Sequence, residues 1–120
     1  MALVIPFVPS IAFYRVATTI NSTQYIFDVR WNTRDSAWYF DVLEEDETPI
    51  VRGVKVVLGC LLGRNTDHPL FRQGVIVAAD LSDSGRDAGF DDFGTRVQVM
   101  RLELNEVFQL RITTTFPRKP

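Results

Sequence analysis

One cysteine and one histidine are all that this 120-residue sequence offers of the residue types that most often carry nucleophilic or metal chemistry. A lone cysteine, Cys60, excludes an intrachain disulfide and fits a reducing compartment. A structural zinc site takes about four Cys and His ligands, so that class falls as well. A large excess of charge is also missing: 13 Lys and Arg against 15 Asp and Glu leave a formal net charge of -2. Such a balance makes no basic field to neutralise phosphates, which argues against specific nucleic-acid binding as the main role. Nor is there a long apolar run. The apolar stretch at residues 1–9 is cut by Pro6 and Pro9 and lacks the positive leading region of a secretion signal. No later segment reaches the length of a membrane span. Residues 1–9 therefore read as an extended arm, lying on its own domain or on a neighbour.

What the chain does have is strand patterning. At 46% hydrophobic residues it can close one core, and its length suits one domain over residues 1–120, with the arm at 1–9 and a basic tail at 116–120. Tyr25, Phe27, Val29 and Trp31 alternate with Asp28, Arg30 and Asn32, the period of a half-buried strand. After a polar break at residues 32–36 the pattern resumes with Trp38, Phe40 and Val42, which predicts a β-hairpin. Residues 11–20 are rich in β-branched side chains and end at Asn21-Ser22-Thr23, a turn cluster, so a meander of three strands is expected.

Further strands are expected over residues 50–62, with Gly53 and Gly59 as bulge or bend points, and over 75–81. Residues 95–104 alternate with Met100, Leu102 and Leu104 on one side, and 107–116 with Phe108, Leu110 and Ile112 aligned. Residues 63–74 and 82–94 read as loops, the second long and exposed. The sum is an all-β domain of about seven or eight strands in a compact barrel or sandwich, with no helix.

Candidate chemical sites are few. Cys60 and His68, with Asp67 beside the histidine, lie in the same region and are weighed as a nucleophile–base pair. Cys60 lies in the apolar run at 54–62, which predicts a small buried hydrophobe, although a single cysteine can also bridge two chains. His68 precedes a proline and reads as a solvated turn residue. Asp80, Ser82, Ser84 and Asp91, with Gly85 at the sixth place, mimic the spacing of a calcium loop. Serines replace stronger acids there and flanking helices are missing, so a hydrated loop bonded to its own backbone competes with that reading.

The acidic run at 44–47 reads as a solvated turn that a basic partner surface could meet. Gly85, Gly89 and Gly94 lack the spacing of a phosphate loop. Asn21-Ser22-Thr23 matches a glycosylation sequon but has no secretion signal before it. Trp31, Trp38 and Tyr39 could stack on a sugar or base, yet their alternating positions suit cross-strand packing. No catalytic residue and no cofactor is expected.

Two patches carry a resemblance. Residues 24–59, QYIFDVRWNTRDSAWYFDVLEEDETPIVRGVKVVLG, place Tyr25, Phe27, Trp31 and Asn32 on one strand and Trp38, Tyr39 and Asp41 on the next, followed by Pro49, Ile50, Gly53 and Gly59. The second patch runs from Gly85-Arg86-Asp87-Ala88-Gly89 through Asp92-Phe93-Gly94-Thr95-Arg96-Val97. Together they resemble the small baseplate plug proteins of contractile-tailed, cyanophage-type myophages. The resemblance implies a structural virion protein near the tail axis, made in the host cytoplasm, that fills or links the central hub and the end of the tail tube. Its implied partners are the tail hub, the tail tube and neighbouring baseplate proteins, with several copies around the axis. It brings no active-site residues. Rival readings are another small tail adaptor or tube initiator, a small-ligand or carbohydrate-binding barrel using Trp31, Trp38 and Tyr39, and a small hydrolase.

Overall fold

Tight turns set the first half of the molecule. In the computed structural model, which describes residues 3–63, 66–82 and 84–103, Asn21 and Ser22 both take positive φ (54° and 66°). That is the backbone of a two-residue primed turn, whose twist matches the strands it joins. It links β2 (Phe13–Ile20) to β3 (Thr23–Asn32), which pair in unbroken antiparallel register from Phe13 opposite Arg30 to Ile20 opposite Thr23. At the next turn the Asn32 side chain accepts the Asp35 amide at 3.0 Å, and β4 (Ala37–Glu44) returns along β3 with Trp38 opposite Trp31. The expected aromatic hairpin and meander are therefore present.

β5 (Pro49–Lys55) completes a four-stranded sheet of order β2-β3-β4-β5. Val51 faces Val42 and Val54 faces Phe40, so Arg52 and Gly53 share the place opposite Asp41. Gly53 sits at φ 69° in this bulge, a conformation glycine adopts without a Cβ clash, and its amide donates to Asp41 Oδ1 at 2.7 Å. The extra residue returns Val54 and Val56 to the inner face.

A second sheet has order β1-β7-β6, from β1 (Leu3–Ile5), β6 (Gly74–Asp80) and β7 (Val97–Glu103). Leu3 lies opposite Arg101, so the N-terminal arm is a strand of its own domain. Both sheets are antiparallel and bury one common cluster, including Phe27, Val29, Phe40 and Val42 from the first and Ile76, Val97 and Val99 from the second. Neither closes on itself, so the barrel alternative gives way to two packed sheets.

Several expectations change. The strand expected to reach residue 62 stops at Lys55, because β4 begins at Ala37 and offers no partner beyond the Val56 amide to Trp38 carbonyl bond of 2.9 Å. Cys60 thus falls in a turn and is exposed, not buried. The loop before β6 holds one short helix, α1 (Pro69–Arg72), where none was expected. On β7, Met100 and Leu102 do share one side, half-buried, while the side that faces the core is Val97, Val99 and Arg101. The loop at 82–94 is not exposed throughout, since Ala88 and Phe93 are buried. Leu104, the strand expected over 107–116 and the tail at 116–120 lie outside the described residues, as do residues 1 and 2 of the arm.

Phe7 shows what the arm contributes. It is 4% exposed, with its ring 5.0 Å from Phe93, 5.7 Å from Phe27 and 5.9 Å from Phe40. Its backbone is approached so closely by Gly94 (φ 89°) that a Cβ there would lie 2.2 Å from the Phe7 carbonyl oxygen. Removing a buried phenylalanine ring costs about 3–5 kcal/mol. Phe7→Ala is therefore expected to lower unfolding free energy by about that amount in urea titration, and a loss below 1 kcal/mol would show that the arm is dispensable to the core.

Candidate functional site

The loop that leads from β6 into β7 begins with a single carboxylate. Asp80 Oδ1 accepts the Ser82 amide and hydroxyl at 2.9 and 2.7 Å. Its Oδ2 accepts the Ser84 amide and hydroxyl and the Gly85 amide at 2.8, 2.6 and 2.8 Å. Arg96 Nη1 adds an ion pair to Oδ1 at 3.0 Å. The Ser84 hydroxyl bond, followed by those from Ser82 and Gly85, holds the Asp80 carboxyl far below the usual carboxylate range even against its desolvation. Of the residues with calcium-loop spacing, the fold brings Asp80, Ser82 and Ser84 together. Asp91 is turned elsewhere, its Oδ1 accepting the Ser10 hydroxyl at 2.8 Å. Both Asp80 oxygens are occupied by N–H and O–H donors, an arrangement that ties down a turn. Among the described residues no group of three or more His, Cys, Asp or Glu side chains converges as a metal site requires.

Arg96 organises the remainder of the loop. Its Nε donates to Asp92 Oδ2 at 2.8 Å, Nη1 to Ser84 Oγ at 2.9 Å and to the Arg86 carbonyl at 3.0 Å, and Nη2 to the Asp87 carbonyl at 2.9 Å. The other oxygen of Asp92 accepts the Gly89 amide at 2.6 Å. One guanidinium therefore gathers residues 80 to 92 through donors fixed in a planar fork. Sequence reasoning missed this role. The signal available was the four-residue spacing of Asp92 and Arg96 beside the Asp-x-Ser-x-Ser-Gly turn.

The gathered loop closes over the hairpin. Trp38 Nε1 donates to the Gly89 carbonyl at 2.9 Å, and its ring stacks on Phe93 at 4.9 Å and on Phe90 at 5.9 Å. The Phe90 carbonyl accepts the Ser10 amide at 3.0 Å, and Tyr14 Oη accepts the Val8 amide at 2.9 Å and donates to the Val8 carbonyl at 3.1 Å. Burial pushes the Tyr14 phenol up to about 12, so it keeps its proton through the neutral range. Residues 8–14 are thereby clipped to the loop and to β2. This fixed segment presents Val8, Ile11 and Phe13 to solvent at 38%, 50% and 66% exposure. Among the described residues β2 is also an edge strand of its sheet, so these apolar side chains sit beside a strand edge that no other described strand pairs with.

The other sequence candidates are dispersed. Trp31 is half-buried, with its ring edge-on to Trp38 and Phe90. Tyr39 is on the opposite face of the sheet and donates to Asp35, so the three aromatics form no common stacking platform. His68 is not a free turn residue. Its Nδ1 accepts the Leu70 amide at 3.1 Å, capping α1, and Nε2 lies 3.1 Å from Glu44 Oε2. It borders a shallow cleft of about 380 Å³ with Thr23, Gln24, Tyr25, Glu44, Glu45 and Asp46, and Cys60 does not line that cleft.

Asp80 yields a pH test. Its folded pKa is depressed, so its contribution to stability is present above the unfolded value of about 4 and fades as the pH drops below it. Wild type should lose stability more steeply than Asp80→Asn between about pH 4 and pH 2 in thermal melts, the variant being weaker at neutral pH. Millimolar calcium should leave the wild-type melting temperature unchanged, and a rise would reinstate the cation loop.

A protein-family model described as cyanophage baseplate Pam3 plug gp18 matches residues 2–104 of the chain. No curated protein matches it significantly.

Proposed function

The chain belongs to the cyanophage baseplate plug family and so has a structural role in a phage baseplate, and within that role we propose that it closes the axial opening, linking the central hub to the end of the tail tube. The family match, which spans both sheets and the Arg96 loop, is the observation that carries this reading. The physical build is consistent with it. A plug has to hold shape against its neighbours, and here the arm, hairpin and loop are locked by buried aromatics and a shared guanidinium. Its work is mechanical: it binds neighbouring baseplate subunits, in several copies around the axis, and turns over no substrate.

Its contact surface in this reading is the corner formed by Val8, Ile11 and Phe13 at the open β2 edge. Apolar side chains beside an unpaired strand suit a neighbour that adds main-chain hydrogen bonds and covers the apolar surface at once. No helix among the described residues is long and apolar enough to cross a membrane.

A reconstruction of the intact tail tip tests the placement directly. Density for the two-sheet domain is expected on the tail axis between hub and tube, and density at the baseplate periphery would sink the proposal. The contact surface has its own test. Ile11→Asp and Phe13→Asp, both at exposed positions, should change unfolding free energy by no more than about 0.5 kcal/mol. In the same variants the amount of protein recovered in purified baseplates should fall at least tenfold, and full incorporation would place the contact elsewhere.

A further inference from the structure

Among the described residues four strands end a sheet: β2 and β5 in the first, β1 and β6 in the second. Three of them carry features that discourage a further strand. β5 opens on Pro49, which has no amide hydrogen to give, bulges at Arg52 and Gly53, and keeps Arg52 and Lys55 exposed. β1 is three residues long and is followed by Pro6. β6 is met at Ile76 by Leu62, whose amide donates to the Ile76 carbonyl at 2.8 Å. β2 has none of these. Its eight residues contain no proline or glycine and pair with β3 in one unbroken register. Its one charge, Arg15, is turned back onto Asp28 of the neighbouring strand and onto Glu47.

The register fixes which backbone groups β2 offers. Trp31 donates its amide to the Ala12 carbonyl at 2.8 Å, one step beyond the pairing of Phe13 with Arg30. In an antiparallel pair such bonded positions recur at every second residue. Tyr14, Val16, Thr18 and Ile20 therefore bond to β3, whereas Phe13, Arg15, Ala17 and Thr19 turn N–H and C=O outward at intervals of about 7 Å. We propose that these outward groups receive an extended strand of a different baseplate protein, uncharged and apolar at every second residue. The proposal rests on the contact surface assigned above and names what fills it.

Two rows of side chains define the chemistry of that strand. Toward the core, Tyr14, Val16 and Thr18 are half-buried, and Tyr14 and Val16 pack against the buried cluster. A strand laid beside them puts every second side chain over this apolar row, where an unpaired charge is costly. On the outer side Arg15 already has Asp28 at 2.6 Å and Glu47 at 3.3 Å, so it asks for no further anion. A second copy fits less well. β2 against β2 is a two-fold contact that closes on itself, whereas copies set around one axis meet head to tail through two different surfaces. A head-to-tail ring of strands would need another open edge, and β1, β5 and β6 are guarded.

Proline at position 17 tests the hydrogen bonds apart from the side chains. In Ala17→Pro the lost N–H is one that faces outward, a place where edge strands tolerate proline. The isolated variant should keep native circular dichroism, yet its amount in purified baseplates should fall at least tenfold, with Ala17→Ser incorporated like wild type. Hydrogen exchange gives a second reading on unmutated protein. Amides of the peptide covering residues 13–20 that exchange quickly in the isolated chain should slow at least tenfold in the baseplate. Normal incorporation of a folded Ala17→Pro, equal loss with Ala17→Ser, or unchanged exchange would overturn the strand addition. If Ile11→Asp and Phe13→Asp are excluded while Ala17→Pro is admitted, the contact surface stands and only the strand falls; if all three are admitted, both fall. Should Ala17→Pro fail to fold, the exchange comparison decides. A dimer mass for the isolated chain in light scattering, with the same amides already protected, would overturn the proposal in favour of a second copy.

Discussion

The indole N–H of Trp38 finds its acceptor in the carbonyl of Gly89, 51 residues away in sequence, and the architecture is organised around that bond. A tryptophan buried to 1% exposure must satisfy its single donor, and β4 turns the ring inward, away from solvent. The loop after β6 has to bring an acceptor there, and it can do so only if its own polar groups are already paired. Asp80, Asp92 and Arg96 meet that condition. The loop in turn supplies Phe90 and Phe93 as stacking surfaces, and its Phe90 carbonyl anchors Ser10. Hairpin, loop and arm thus hold one another, which is a sound basis for a part whose role is to keep its shape.

Charge is arranged to the same end. On the four-stranded sheet, Arg15, Arg30 and Lys55 are each paired with an aspartate. Exposed pairs of this kind contribute little to stability, but they neutralise three of the cationic side chains on that face. Exposed apolar side chains include Val8, Ile11 and Phe13 at the corner and Val4 on the outer side of the small sheet. A protein that docks through selected surfaces needs the rest of its exterior to be inert.

Much of this was legible in the sequence where the cause is local. Asn21-Ser22 and Asn32-Thr33-Arg34-Asp35-Ser36 are turns by their own chemistry, and the alternation of Tyr25, Phe27 and Val29 fixed the inward face of β3. The family resemblance rested on the same hairpin. Features with distant causes were not legible. β5 ends where β4 runs out, so the exposure of Cys60 depends on where a neighbouring strand begins and not on the apolar residues beside it in sequence. On β7 each side mixes apolar and polar residues, Val97, Val99 and Arg101 on one and Gln98, Met100 and Leu102 on the other, so alternation could not say which faced the core. Arg101 is accommodated there because its Nη2 reaches the Leu70 carbonyl at 2.9 Å, a partner supplied by α1. Arg96 was unremarkable as a letter because its acceptors are assembled by the fold.

The pairing of Leu3 with Arg101 has a consequence for how the molecule comes to exist. The meander of β2 to β5 is made of near neighbours and can form early, whereas β1 must wait for a strand almost a hundred residues downstream. At ribosomal rates of about 5–20 residues per second that wait is on the order of ten seconds, during which Phe7 has no Phe93 to stack upon. Closing so long a loop is entropically slow, and non-local strand pairing is what makes small β-proteins fold in milliseconds to seconds. The nascent chain therefore carries its arm without its β7 partner until that strand emerges, and the β1-β7-β6 sheet can be completed only after most of the described chain has been made.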